Sequence, residues 1–140
     1  MLVTLGTAAA VTAACTLTRW FLERTSLRPV NFCGGRVRVQ GHYNRGAAFG
    51  NRLLKGKNLI ALSGAALGLT LAEFRRDRLG AGLVLGGGVS NLLERIRRGK
   101  VFDYIRFPKA PGRWRRYVFD LADFAIFLGA VLMLVRGKKK

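Results

Sequence analysis

The chain is 140 residues long, one domain's length, with half its residues apolar and a formal net charge of +18. Two cysteines and one histidine leave weak support for a zinc site, a disulfide framework or a Cys–His nucleophile pair. No stretch has the pattern of a nucleic-acid-binding module, so no nucleic-acid partner is expected despite the charge.

Four stretches carry no charged residue: 1–18, 58–72, 79–93 and 124–135. Only the first reaches the roughly 18 residues that by themselves mark a transmembrane helix. The stems of flanking Arg and Lys can snorkel to the interface, and counting them brings each stretch to spanning length. The competing reading is a soluble bundle, but so small a domain is poorly able to bury four helices apolar all round. The chain is therefore read as an α-helical integral membrane protein with four transmembrane helices and one domain, residues 1–140.

In chain order, helix 1 is expected over about 2–22. Its start, MLVTLGTAAAVTAAC, loosely resembles a lipoprotein signal but lacks the positive n-region, so a retained helix is expected. Cys15 lies inside this apolar run and Cys33 well outside it, which argues against a disulfide. Residues 23–57 form a looped segment in which RVRVQGHY alternates Val37 and Val39 with Arg36 and Arg38, the pattern of a strand with one wet face. Gly34-Gly35 and Gly41 punctuate it as turns, and His42 reads as a loop or strand residue. Helix 2 follows over about 58–74 and helix 3 over about 79–96, with Gly64/Gly68 and Gly82/Gly86 spaced for close helix approach. An irregular segment, 97–116, leads to helix 4 over about 117–135 and a basic tail.

Most of the Arg and Lys fall in 23–57 and 95–116. A positive-inside count alone would put these segments in the cytoplasm. Lying against the membrane, they would instead meet anionic lipid headgroups, which are expected partners.

Of the seven acids, Glu94, Asp103, Asp120 and Asp123 fall within thirty residues, where helices 3 and 4 meet one side of the membrane. Carboxylates at membrane depth are costly and mark a functional site. Asp120 and Asp123, three apart, share a helical face, with Asp120 also placed to cap the helix. Two carboxylates held close cannot both ionise readily, so such a pair supplies an acid and a base able to activate water against an amide. The sequence offers no Ser–His–Asp set, and Gly86-Gly87-Gly88 lacks the ending of a phosphate-binding loop.

The stretches YNRGAAFG (43–50), GGGVSNLLERIRRGKVFDYI (86–105) and FDLADFAIFLG (119–129) together resemble lipoprotein signal peptidase, or signal peptidase II, in order and spacing over about 120 residues. AACTLTRW (13–20) is a weaker echo of the first-helix pattern Asp-Gln-Leu-Thr-Lys. The resemblance implies a four-helix intramembrane aspartic protease of the bacterial cytoplasmic (inner) membrane, with an extracytoplasmic β-rich cradle. Both long segments would lie outside the cytoplasm, against the charge count. Such enzymes cut prolipoproteins before a Cys that carries diacylglycerol, and need no cofactor or metal. By position Asp103 and Asp123 correspond to the catalytic dyad. Asn44, Asn91 and Arg95 correspond to residues that shape the substrate pocket, and Gly46, Phe49 and Asp120 are expected to bind substrate beside them. A monomer is expected.

Four positions depart from the family pattern: Cys15 and Glu94 stand where it has Asp, Asp120 where it has Asn, and Ser90 where it has Gly. Asp120 puts a third carboxylate by the dyad, so a shifted pH optimum or a substrate-shifted paralogue is weighed. A non-catalytic lipid- or lipoprotein-binding relative and a proton or cation carrier are the readings from other classes. Both dyad positions being present argues against the former, and clustering of the acids at one end argues against the latter.

Overall fold

The computed structural model describes residues 1–25, 28–45, 56–72 and 77–136. Four helices, α1 (Leu2–Thr25), α2 (Gly56–Ala72), α3 (Arg78–Arg98) and α4 (Leu121–Arg136), carry a small sheet at one end. The sheet is built from β1 (Val30–Phe32), β2 (Val37–Asn44), β3 (Val101–Arg106) and β4 (Val118–Phe119), antiparallel throughout in the order β1-β2-β3-β4. Gly46 and Phe49 lie outside the described residues.

Helix α3 is the centre of the bundle, packed against α1 and α4 and, less extensively, α2. Its glycines make this possible. A Cβ on Gly82 would lie 2.9 Å from the Thr4 carbonyl oxygen, and one on Gly86 2.7 Å from that of Ala8. Towards α4, Gly80 and Gly129 face each other, and a Cβ on Gly129 would lie 2.5 Å from the Gly80 oxygen. Backbones this close gain dispersion contacts that larger residues would prevent. The pair Gly64/Gly68, identical in spacing, makes no such approach among the described residues, where a Cβ at either would meet nothing within 4 Å.

The ends of α3 are specified locally. Asp77 caps its start, Oδ1 accepting from the Leu79 and Gly80 amides at 3.0 Å. Gly99, in the left-handed region (φ 67°), stops it and turns the chain into β3. The sequence reading takes 97–116 as irregular, yet β3 pairs on both sides, with β2 and β4. Helix α4 begins at Leu121 rather than near 117 because Val118 and Phe119 pair with Arg106 and Ile105. Gly41, read as a turn, lies within β2 at a register irregularity, where a Cβ would come 2.6 Å from the Phe102 ring.

The burial pattern is inverted relative to a water-soluble bundle. Buried positions include Thr4, Arg19, Ser90, Asn91, Asp103 and Asp120, whereas Leu17, Phe21, Leu69, Phe127 and Leu134 are more than half exposed. Among the described residues one helix, α1, is long and apolar enough to cross a membrane, and the apolar stretch Lys57–Leu71 of α2 is shorter. The other two fall short of the expected four spans for identifiable reasons. Helix α4 yields its first residues to β4, and glycines and terminal arginines dilute the apolar character of α3.

Candidate active site

The site forms where the sheet meets the bundle. Asp103 comes from β3 and is 4% exposed, with Oδ2 accepting from Asn44 Nδ2 at 3.0 Å. Strand β2, the hydrogen-bonded neighbour of β3, thus presents Asn44 to Asp103. That strand is tied to the bundle through Glu23 of α1, which accepts from the Tyr43 hydroxyl and, at 3.0 Å, from Arg98 Nη1. Lys100 covers the Tyr43 ring at 3.6 Å.

Asp123 comes from the first turn of α4 and its position follows from a reciprocal cap. Asp120 is the N-cap: its Oδ1 accepts from the Asp123 amide at 2.9 Å, and Asp123 Oδ2 accepts from the Asp120 amide at 3.1 Å. The next amide, that of Leu121, donates to the Tyr104 hydroxyl at 3.2 Å. The other Asp123 oxygen accepts from Asn91 Nδ2 at 3.4 Å. Asp103, Asp120 and Asp123 converge so closely that one carboxylate oxygen from each lies within 4.8 Å of the others.

Two arginines answer this negative charge. Arg19 of α1, 3% exposed, donates to Asp120 through Nε and Nη2, to Ser90 through Nη1 and to the Asn91 side-chain oxygen through Nη2. Arg95 adds a second positive charge that acts on Asp103, and its Nη1 donates to the Asn91 carbonyl at 3.4 Å. Its Nε is buried with no partner among the described residues. Burial pushes the Asp103 carboxyl up from the ordinary 3.8 to about 7. The Asn44 hydrogen bond opposes that rise, and the charges of Asp120 and Asp123 add to it.

The structure brings together Asn44, Asn91, Arg95, Asp103, Asp120 and Asp123. Asp120, expected to bind substrate, is fully buried with one oxygen on Arg19 and the other on the Asp123 amide. Glu94 turns away and pairs with Arg98 at 3.4 Å. Arg19 is absent from the residues singled out by sequence, although a cation inside an apolar helix was signal enough.

Two cavities meet at Asp123. One, about 630 Å³, is apolar and runs between α4 and the sheet, lined by Phe107, Trp114, Phe119, Phe124 and Phe127. The other, about 220 Å³, lies among α2, α3 and α4, with Ser63, Asn91 and Arg95 in its wall.

A family model described as "Signal peptidase (SPase) II" matches residues 7–137. The chain is 36% identical over 100 residues to a lipoprotein signal peptidase of Halothermothrix orenii, covering 66% of this chain and 63% of that protein. It is 32% identical over 95 residues to that of Methylorubrum extorquens, covering 68% and 54%. The chain therefore spans less than two thirds of the length of these curated relatives. Its fold is similar to that of a bacterial membrane enzyme solved by the in meso method at 2.3 Å resolution, with TM-score 0.79 and 20% identity over 94% of this chain and 85% of that one. A second such structure, at 1.9 Å, gives TM-score 0.79 with 21% identity over 98% and 93%. With a match running almost from end to end, the chain belongs to the signal peptidase II family.

Proposed function

We propose that this chain is an intramembrane aspartic endopeptidase that removes signal peptides from diacylglyceryl-modified prolipoproteins, cutting before the lipidated Cys. The observation that carries the reading is the close approach of buried Asp103 and half-buried Asp123, from different elements, with Asp123 at the junction of two cavities. Carboxylates so placed share a proton, as a pair rather than as independent acids. Asp103, pushed up to about 7, holds it. Asp123 takes a proton from water as the water oxygen bonds to the scissile carbonyl carbon, and Asp103 gives its proton to the carbonyl oxygen. Collapse of the resulting diol returns a proton to the leaving nitrogen, breaks the C–N bond and frees the amine of the lipidated Cys. Asn44 and Asn91 hold the two acids by hydrogen bonds, and Arg95 places its positive charge in the wall of the smaller cavity beside Asp123.

The substrate class rests on the apolar cavity, whose aromatic wall suits acyl chains at roughly 0.8 kcal/mol per buried CH2. All four helices are assigned as spanning the bacterial cytoplasmic membrane within one domain, with the sheet on the extracytoplasmic side. The exposed apolar faces of α1, α2 and α4 support this. Anionic lipids are the proposed surface partners. Arg38, Arg106, Arg115 and Arg116 line one cleft, and none of them has a carboxylate partner among the described residues. The test is cleavage by purified protein of a diacylglyceryl-modified prolipoprotein peptide beside its unmodified twin. Cleavage of the modified peptide alone, at the bond before Cys, is expected. Equal cleavage of both would remove the lipid from the recognition argument, and no cleavage between about pH 5 and 9 would remove the reaction itself.

A further inference from the structure

Nothing in the proposed reaction uses Arg19 or Asp120, yet they are among the most buried polar side chains in the molecule, at 3% and 0% exposure. The Arg19 guanidinium joins three helices. It reaches from α1 to Ser90 (2.9 Å to Oγ, 3.3 Å to the carbonyl) and to the Asn91 side-chain oxygen on α3, and to Asp120 Oδ2 at the head of α4. Two of those partners are the groups that hold Asp123. Because Arg19 is only a donor, the Asn91 atom facing it must be the oxygen, which turns the amide NH2 towards Asp123 Oδ1. Because Arg19 holds Asp120 Oδ2, the other Asp120 oxygen is left for the Asp123 amide and the reciprocal cap closes. One cation thus fixes the neighbours of both Asp123 oxygens across 101 residues of sequence.

We infer that Arg19 and Asp120 form a buried ionic bracket that positions Asp123 and offsets the third carboxylate beside the dyad. The inference rests on the peptidase reading above. Both are positioning residues, since neither is placed to touch substrate. A cation buried here without Asp120 would lack its counter-ion. Asp120 without Arg19 would put an unbalanced charge next to Asp103 and Asp123, and breaking such a pair costs more than deleting it whole.

Among the described residues, the other charged or titratable groups around the dyad are few. Cys15 comes from α1, His42 stands opposite Asp103 in the β2–β3 register, Tyr104 comes from β3 and Arg95 from α3. Helix α2 offers Ser63 and apolar side chains to this region.

The test compares R19M, D120N and R19M/D120N by the pH profile of cleavage, and by infrared titration of the protonated-carboxyl band in reconstituted protein without substrate. R19M should lower kcat about 100-fold with KM little changed, as expected of a misplaced catalytic group. It should also move the alkaline limb and the infrared midpoint upward by about one pH unit, because an unbalanced negative charge holds the dyad proton. D120N should move both downward, and the double variant should recover much of the R19M loss. Limbs that stay put, shifts of the same sign, or losses that simply multiply would overturn the bracket. If R19M does not accumulate in the membrane, D120N and R19K carry the comparison, R19K lowering kcat while leaving the limb in place. Should wild type cleave nothing, the peptidase reading falls, and the infrared midpoints alone decide the bracket.

Discussion

At one end of the α3–α4 seam, Gly80 and Gly129 press backbone against backbone with no side chain between them. At the other, Asn91, Asp120 and Asp123 fill the same seam with charge and hydrogen bonds, joined by Arg19 from α1. The glycine end is tolerant of environment and intolerant of volume. The polar end is the reverse: Arg19 and Asp120 are buried partners, and removing either strands the charge of the other. At the polar end three carboxylates converge, and Arg19 and the reciprocal Asp120–Asp123 cap are what hold two of them in place.

Breaking the glycine end should have the largest effect on stability. Gly129→Val sets its Cβ against the Gly80 carbonyl oxygen, a backbone atom unable to yield, and should cost about 1–3 kcal/mol by thermal denaturation in detergent. At the polar end the sharper probe is pH. With Asp103 at about 7, cleavage should fall roughly tenfold per unit above pH 7 as the dyad loses its proton. The folded state holds this proton more tightly than the unfolded chain. Its contribution to stability is thus present below about pH 4 and lost as pH rises towards 7, a trend that Asp103→Asn should reduce in the same melts.

Away from the seam, Arg115→Glu should weaken binding of phosphatidylglycerol to the detergent-solubilised protein by about fivefold for each charge lost, on the order of 1 kcal/mol, and leave binding of a neutral lipid unchanged. The smallest effect belongs to Gly64→Ala, where open space receives the methyl group. Stability there should hold or rise by up to about 1 kcal/mol, and a large loss would mean that α2 uses this face.

The helices were legible because apolar runs separated by arginines and glycines are strong signals, and the acids were legible because burying them is expensive. What stayed hidden depended on direction or distance. Gly64/Gly68 and Gly82/Gly86 have the same spacing, but among the described residues only the latter packs against another helix, and spacing does not say which way a face points. Strand β3 sits buried between β2 and β4, and VFDYIR shows no clean alternation that would reveal it. Asp120 looked like either a cap or a third free charge. It is a cap whose charge is met by a residue 101 positions away, a pairing no local pattern encodes.

The central claim is that Asp103 and Asp123 act as one catalytic pair. Its most direct measurement is single-turnover cleavage of a diacylglyceryl-modified prolipoprotein by wild type, Asp103→Asn and Asp123→Asn, with substrate binding followed in parallel. Each variant should bind substrate yet cleave about 10³-fold more slowly or not at all, which is within the range for loss of a positioned acid or base. A variant at either position that cleaves at the wild-type rate would contradict the account.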